Sequence, residues 1–192
     1  MKAAVFLDRD GVLIEDVDLL VRPEQVCLMA GAAEALQLLA RSGYDLVVVT
    51  NQTVVARGLA TEREVETVNR HVADCLEQAG GPRLELFYYC PHHPKAHVPE
   101  FRIVCSCRKP QPGMLIAAAS EHGIELRSSF IIGDRMTDIA AGKSAMCRAV
   151  LVQSGKHLCP PIETVDPLDR DLAPDFTCVD LSSAVTWILS NR

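Results

Sequence analysis

Short apolar runs punctuate the chain, and their lengths are those of strands. "AAVFL" (3–7), "DLVVVT" (45–50), "LFYY" (86–89), "SFIIG" (129–133) and "AVLV" (149–152) are nearly continuous in hydrophobic residues. That pattern predicts strands covered on both faces. "FTCV" (176–179) is suited to a late edge strand. Between these runs the apolar positions recur at helical spacing. "AGAAEALQLLARSG" (30–43) stops at Gly43. Residues 61–81 open with Thr61 and Glu64, spaced as a capping box, and close at Gly80 and Gly81. Residues 111–123 run from proline to glycine.

This alternation predicts an α/β fold: a Rossmann-like, doubly wound, mostly parallel sheet with helices on both faces. In such sheets the reactive groups lie beyond the carboxyl ends of the strands. Two stretches break the rhythm. Residues 90–113, "CPHHPKAHVPEFRIVCSCRKPQPG", hold five prolines and little periodicity, so a loop of this length needs its own source of order. Residues 153–175, with four prolines and several acidic residues, read as an exposed connection or cover. No internal repeat is present.

Composition narrows the picture. A chain of 192 residues is expected to form a single domain, 1–192, with the loop at 90–113 as a minimal cap. A net charge of −6 argues against non-specific nucleic-acid binding, which needs a broad basic surface. A small anionic substrate remains compatible, because a few local cations suffice for it. No apolar run approaches the roughly 18 residues of a membrane span. Charge arrives at Asp8, too early for a signal peptide's apolar segment. A cytoplasmic monomer is therefore expected, despite eight cysteines.

Four motifs follow apolar runs. In "VFLDRDGVL", Asp8 and Asp10 lie two residues apart and can reach one volume above the sheet edge. Two carboxylates so close repel unless a cation joins them, and Mg²⁺ takes one or two carboxylates together with phosphate and water. One aspartate can then attack as a nucleophile and the other can transfer protons. The competing reading is a solvated turn bent at Gly11. Thr50, ending "VVVT", can bond a phosphoryl oxygen or simply serve a turn. Arg57 offers an anion contact. "CRKP" sets Arg108 and Lys109 side by side, with Pro110 restricting Lys109. "FIIGDRMTD" presents Asp134 as a second metal carboxylate, with Asp138 in support, or as a helix cap.

Together Asp8-x-Asp10-Gly11, Thr50, Lys109 and Gly133-Asp134 resemble the haloacid dehalogenase (HAD) superfamily of phosphohydrolases. The resemblance spans residues 8 to 138. It implies a nucleophile at Asp8, a general acid/base at Asp10, and phosphoryl stabilisation by Thr50 and Lys109. It also implies Mg²⁺ held by Asp8, Asp10 (through its backbone carbonyl) and Asp134.

The long loop carries a second metal signature. "C-P-H" at 90–92 and "C-S-C" at 105–107 supply Cys90, His92, Cys105 and Cys107, a set suited to a closed, structural tetrahedral zinc. Such a site would order the loop bearing Arg108 and Lys109. His93 is an alternative to His92, and a disulfide or free thiols are the competing readings. Cys27, Cys75, Cys147, Cys159 and Cys178 are expected to be packing or surface thiols.

"YYCPHHP…C-x-CRKPxPGM" with "VVTNQ…ARG" is further similar to the D-glycero-D-manno-heptose 1,7-bisphosphate 7-phosphatase subgroup. The implied substrate is a small phosphorylated sugar, met by Arg9, Asn51, Gln52, Thr53, Arg57 and Arg108. Histidinol-phosphate and other sugar-phosphate phosphatases are neighbouring alternatives. A non-catalytic sugar-phosphate-binding protein is the alternative of another class. The chain departs from the subgroup in "VLIEDVDLLV" after Gly11, in Thr53-Val54 where Ser-Gly is usual, and at Arg135 where Lys is usual. Those segments would meet the sugar.

Overall fold

Six strands form one sheet in which every pairing is parallel, in the order β3-β2-β1-β4-β5-β6. They are β1 (Ala4–Leu7), β2 (Asp45–Asn51), β3 (Leu86–Cys90), β4 (Phe130–Gly133), β5 (Arg148–Val152) and β6 (Phe176–Cys178). The helices are α1 (Ala32–Arg41), α2 (Thr53–Ala56), α3 (Glu62–Gln78), α4 (Gly113–His122), α5 (Met136–Ser144) and α6 (Leu181–Ser190). This computed structural model describes residues 2–154 and 173–191. Cys159 and most of the connection expected at 153–175 lie outside them.

Side-chain alternation along the strands splits the core in two. Val5, Leu7, Val48 and Ile132 pack beneath α1, α3 and α6, with Leu36, Val68, Val72 and Ile188 from those helices. Ala4, Phe6, Val47 and Ile131 face the other way, against Leu115 of α4 and Ile139 of α5. Helices therefore cover both faces, as the continuous apolar runs required.

All six expected strands are present, and β6 takes the expected edge. The three expected helices form within their bounds, and Thr61 and Glu64 make the reciprocal capping box. Three helices were not expected. α2 is a single turn. α5 buries Asp138, Ala140, Ala141 and Gly142 along with Ile139, so it carries little apolar periodicity. α6 did carry a signal: Asp180 caps Ser183, and Leu181, Ala184, Val185 and Ile188 recur at helical spacing.

The stretches leaving the carboxyl edge are tied together. After Gly11 the chain turns back as Glu15 N donates to Cys27 O (2.9 Å) and Met29 N to Leu13 O (3.0 Å). The long loop docks on α2, with His97 N and Val98 N both donating to Ala56 O. Val54, Val55 and Val65 then form a small apolar cluster with Leu19, Val21 and Phe101. One cluster thus unites residues 12–22, α2 and the long loop above the sheet.

Candidate active site

β1 and β4 are neighbours at the point where the strand order reverses, the crevice where doubly wound sheets place their ligands. Asp8 follows β1 and Asp134 follows β4. Their carboxylates meet that of Asp138 from the first turn of α5, all three buried, with ligand oxygens within 4.8 Å of one another. Gly11 and Gly133 make the crowding possible. A Cβ at Gly11, where φ is +83°, would collide with the Asp134 carboxylate, and one at Gly133 would collide with Asp138.

Lys109 lies across this acidic group. Its Nζ stands 3.0 Å from Asp8 Oδ1 and 2.5 Å from Asp138 Oδ1, and donates to Val49 O at 2.8 Å. Burial alone would lower the ammonium's pKa, but Asp138 and Asp8 outweigh it and hold it up at about 12. Burial pushes the Asp8 carboxyl up to about 7; Asp138 and Asp10 add to the rise and Lys109 opposes it. Asp138 is raised as well, first by burial and then by Asp134, against Lys109. Three buried carboxylates therefore meet one buried ammonium, while Arg135 approaches Asp134 only at 3.9 Å. A hard divalent cation fits the charge and the all-oxygen donor set.

Asp10 sits beside this group, half-buried. Its carboxylate accepts from Arg9 Nε (3.1 Å), Arg9 Nη2 (3.1 Å) and Gln52 Nε2 (2.9 Å), with Thr50 Oγ1 at 3.4 Å. Gln52 also donates to Thr50 Oγ1 at 2.8 Å. The residues expected at the site thus converge on one cavity of about 400 Å³, with Thr53, Arg57 and Arg108 on its wall and Asp134 just beneath.

Some side chains expected along the substrate line the cavity and also have protein partners. Arg9 is 1% exposed and directs its guanidinium at Asp10 and Asn69. Asn51 bonds both backbone groups of Lys109. Gln52 serves Asp10 and Thr50. These three tie α3, β2, the Asp10 turn and the Lys109 loop together around the site. Arg57 is exposed on the wall, and Arg108 Nη1 donates to His92 O at 3.3 Å.

Sequence reasoning did not single out Asn69, Asp16 or Asp18. Asp16 pairs with Arg135 at 3.2 Å on the cavity wall, and Asp18 also lines the cavity. Thus the departure after Gly11 and the departure at Arg135 touch each other.

At the base of the long loop, the sulfurs of Cys90, Cys105 and Cys107 stand 3.1–3.5 Å apart, and Cys107 Sγ lies 3.4 Å from His92 Nδ1. A disulfide needs sulfurs about 2.05 Å apart, so none is formed here. These four ligand atoms lie within 4.8 Å of one another, close enough to gather on one metal ion, and three sulfurs with an imidazole are a donor set that suits zinc. His93 stands outside the cluster, where its Nδ1 accepts from Lys95 N. Of the other described cysteines, Cys147 and Cys178 are buried, Cys75 is half-buried and Cys27 is exposed.

Comparison with known proteins follows the same lines. An HAD-like hydrolase family model matches residues 106–184. D-glycero-beta-D-manno-heptose-1,7-bisphosphate 7-phosphatase of Escherichia coli K12 is 40% identical over 161 residues, covering 83% of this chain and 84% of its own. The chain belongs to the HAD-like phosphatases. The Pasteurella multocida enzyme of the same name is 42% identical over 159 residues, covering 82% of this chain and 85% of its own. Among solved structures, D,D-heptose 1,7-bisphosphate phosphatase from B. bronchiseptica, complexed with magnesium and phosphate, superposes with a TM-score of 0.78. It is 29% identical, and each chain is covered in full. This HAD-like phosphatase has no described helix long and apolar enough to cross a membrane.

Proposed function

We propose that this phosphatase removes the 7-phosphate of D-glycero-D-manno-heptose 1,7-bisphosphate through an aspartyl-phosphate at Asp8. The observation that carries the chemistry is Lys109 Nζ at 3.0 Å from the Asp8 carboxylate, at the floor of a cavity edged by Arg57 and Arg108. The substrate follows from relatives that match more than four-fifths of the chain and carry that name.

Asp8 attacks phosphorus in line, and its new bond to phosphorus replaces the bond to the departing sugar oxygen. Asp10 gives that oxygen a proton, then takes one from the water that cleaves the aspartyl-phosphate. Lys109 and Thr50 offer donors to the phosphoryl oxygens, whose negative charge must be met throughout transfer. Bound Mg²⁺, held by Asp8, Asp134 and the Asp10 backbone carbonyl, would supply further positive charge at the phosphoryl group. Arg57 and Arg108 are suited to the substrate's second, non-reacting phosphate, and zinc held by Cys90, His92, Cys105 and Cys107 would fasten the loop that carries Arg108. The reduced thiols suit the cytoplasm.

A phosphate-release screen with Mg²⁺ over heptose 1,7-bisphosphate, histidinol phosphate and simple sugar phosphates tests this reading. Heptose 1,7-bisphosphate should give the highest kcat/KM, and Asp8→Asn should abolish turnover. Preference for another phosphoester would overturn the substrate, and an active Asp8→Asn variant would overturn the mechanism.

A further inference from the structure

The buried face of α3 is apolar at Val65, Val68, Val72 and Leu76, and polar at Asn69, which is only 4% exposed. A buried amide is costly unless bonded. Asn69 Oδ1 accepts from Arg9 Nη1 at 2.8 Å. The other two nitrogens of the same guanidinium hold both oxygens of Asp10: Nε lies 3.1 Å from Oδ2, and Nη2 lies 3.1 Å from Oδ1 and 3.0 Å from Oδ2, a planar fork shared over the carboxylate. Arg9 and Asp10 are chain neighbours, so Arg9 has no local element to fix its plane, and its remaining anchor comes from a helix 60 residues away.

We infer that Asn69 is a positioning residue for proton transfer: it fixes the plane of Arg9, and Arg9 in turn fixes the carboxylate of Asp10. The inference rests on the proposed acid/base role of Asp10. A planar fork aligns its partner only while its own plane is held. Proton transfer to a leaving oxygen is sensitive to that alignment. Asn69 itself has no place in the substrate's path, because its contact with the site runs through Arg9.

The test exploits the leaving group. A sugar alkoxide needs the proton that Asp10 delivers, whereas p-nitrophenolate departs without one, and kcat/KM reports the step in which the leaving group departs. In Asn69→Leu, kcat/KM for the sugar bisphosphate should fall about 10- to 100-fold. For p-nitrophenyl phosphate it should change less than about threefold. Asn69→Asp keeps an acceptor for Arg9 and should retain the parental ratio between the two substrates. A crystal structure of Asn69→Leu should show the Arg9 fork displaced from Asp10.

An equal fall on both substrates would overturn the inference, since general damage or loss of Mg²⁺ binding acts on both. Unchanged kinetics on both, or a fork that stays in place, would overturn it too. Failure of the proposed substrate shows in the parental protein and not in the variant. In that event the ratio is taken with whichever alkyl phosphate the parent turns over, and for an inactive parent the position of the fork decides.

Discussion

The side chain of Asn51 is bonded to both backbone groups of Lys109: Asn51 Nδ2 donates to Lys109 O at 3.0 Å, and Lys109 N donates to Asn51 Oδ1 at 3.1 Å. The last residue of β2 thereby treats the Lys109 loop as an adjoining strand. Lys109 reaches Asp8 from a loop, and this pair of hydrogen bonds sets where that reach begins.

Replacing Asn51 by Ala removes both bonds. With each worth about 1 kcal/mol, the variant should unfold about 2 kcal/mol more easily. Turnover should fall about tenfold or more as Lys109 drifts, read by thermal unfolding and phosphate release. A variant with parental stability would show that water replaces the amide at no cost.

Lys109→Met leaves Asp8 and Asp138 facing each other without their cation. Removing one partner of a buried ionic group costs about 3–5 kcal/mol, so the metal-free variant should be markedly destabilised. Its kcat should drop about 1,000-fold. Denaturant titration and steady-state kinetics check the two effects separately.

The Asp8 carboxyl rises to about 7 in the folded protein, chiefly through burial, from an ordinary value of 3.8. Between those values the folded state binds a proton that the unfolded chain has released, so this group's stabilisation is present at low pH. It is lost as pH rises through about 7. Asp138 shifts in the same direction, for the same first reason. Metal-free protein should therefore lose thermal stability between about pH 4 and 7. Mg²⁺ should add more to Tm at pH 8 than at pH 5, where it must displace protons. A Tm gain independent of pH would contradict this assignment of the buried carboxylates.

Elemental analysis should find about one zinc per chain, lost in Cys105→Ser and Cys107→Ser. Since Lys109 lies two residues past Cys107, zinc loss should lower activity and Tm together. A disulfide among Cys90, Cys105 and Cys107 in the purified protein would overturn the zinc site.

Most of the architecture was legible because both sheet faces are covered, so strands such as "VVVT" read as unbroken apolar runs. The capping box at Thr61 was legible because both partners are local. α5 was not, because its burial is achieved with small residues and Asp138 rather than an apolar stripe. At the site, Asp8, Thr50 and Asp134 were readable from their places at or just after strand ends, and Lys109 from the "CRKP" motif in the long loop. Arg9, Asn51 and Gln52 were readable as site residues, but their contacts with Asn69, Lys109 and Asp10 were not, since those partners are 60, 58 and 42 residues away in the chain. Asn69 left a trace: one amide on an otherwise apolar helical face.

Gly11 and Gly133 leave no room for a Cβ beside Asp134 and Asp138. The consequence concerns where this enzyme can change. Positions 11 and 133 are sterically closed to substitution, because a Cβ at either one meets a buried carboxylate. Tolerance for new residues is left to other parts of the cavity wall, such as the paired Asp16 and Arg135. Variation in this cavity is thus steered away from the carboxylate cluster and toward residues with space around them.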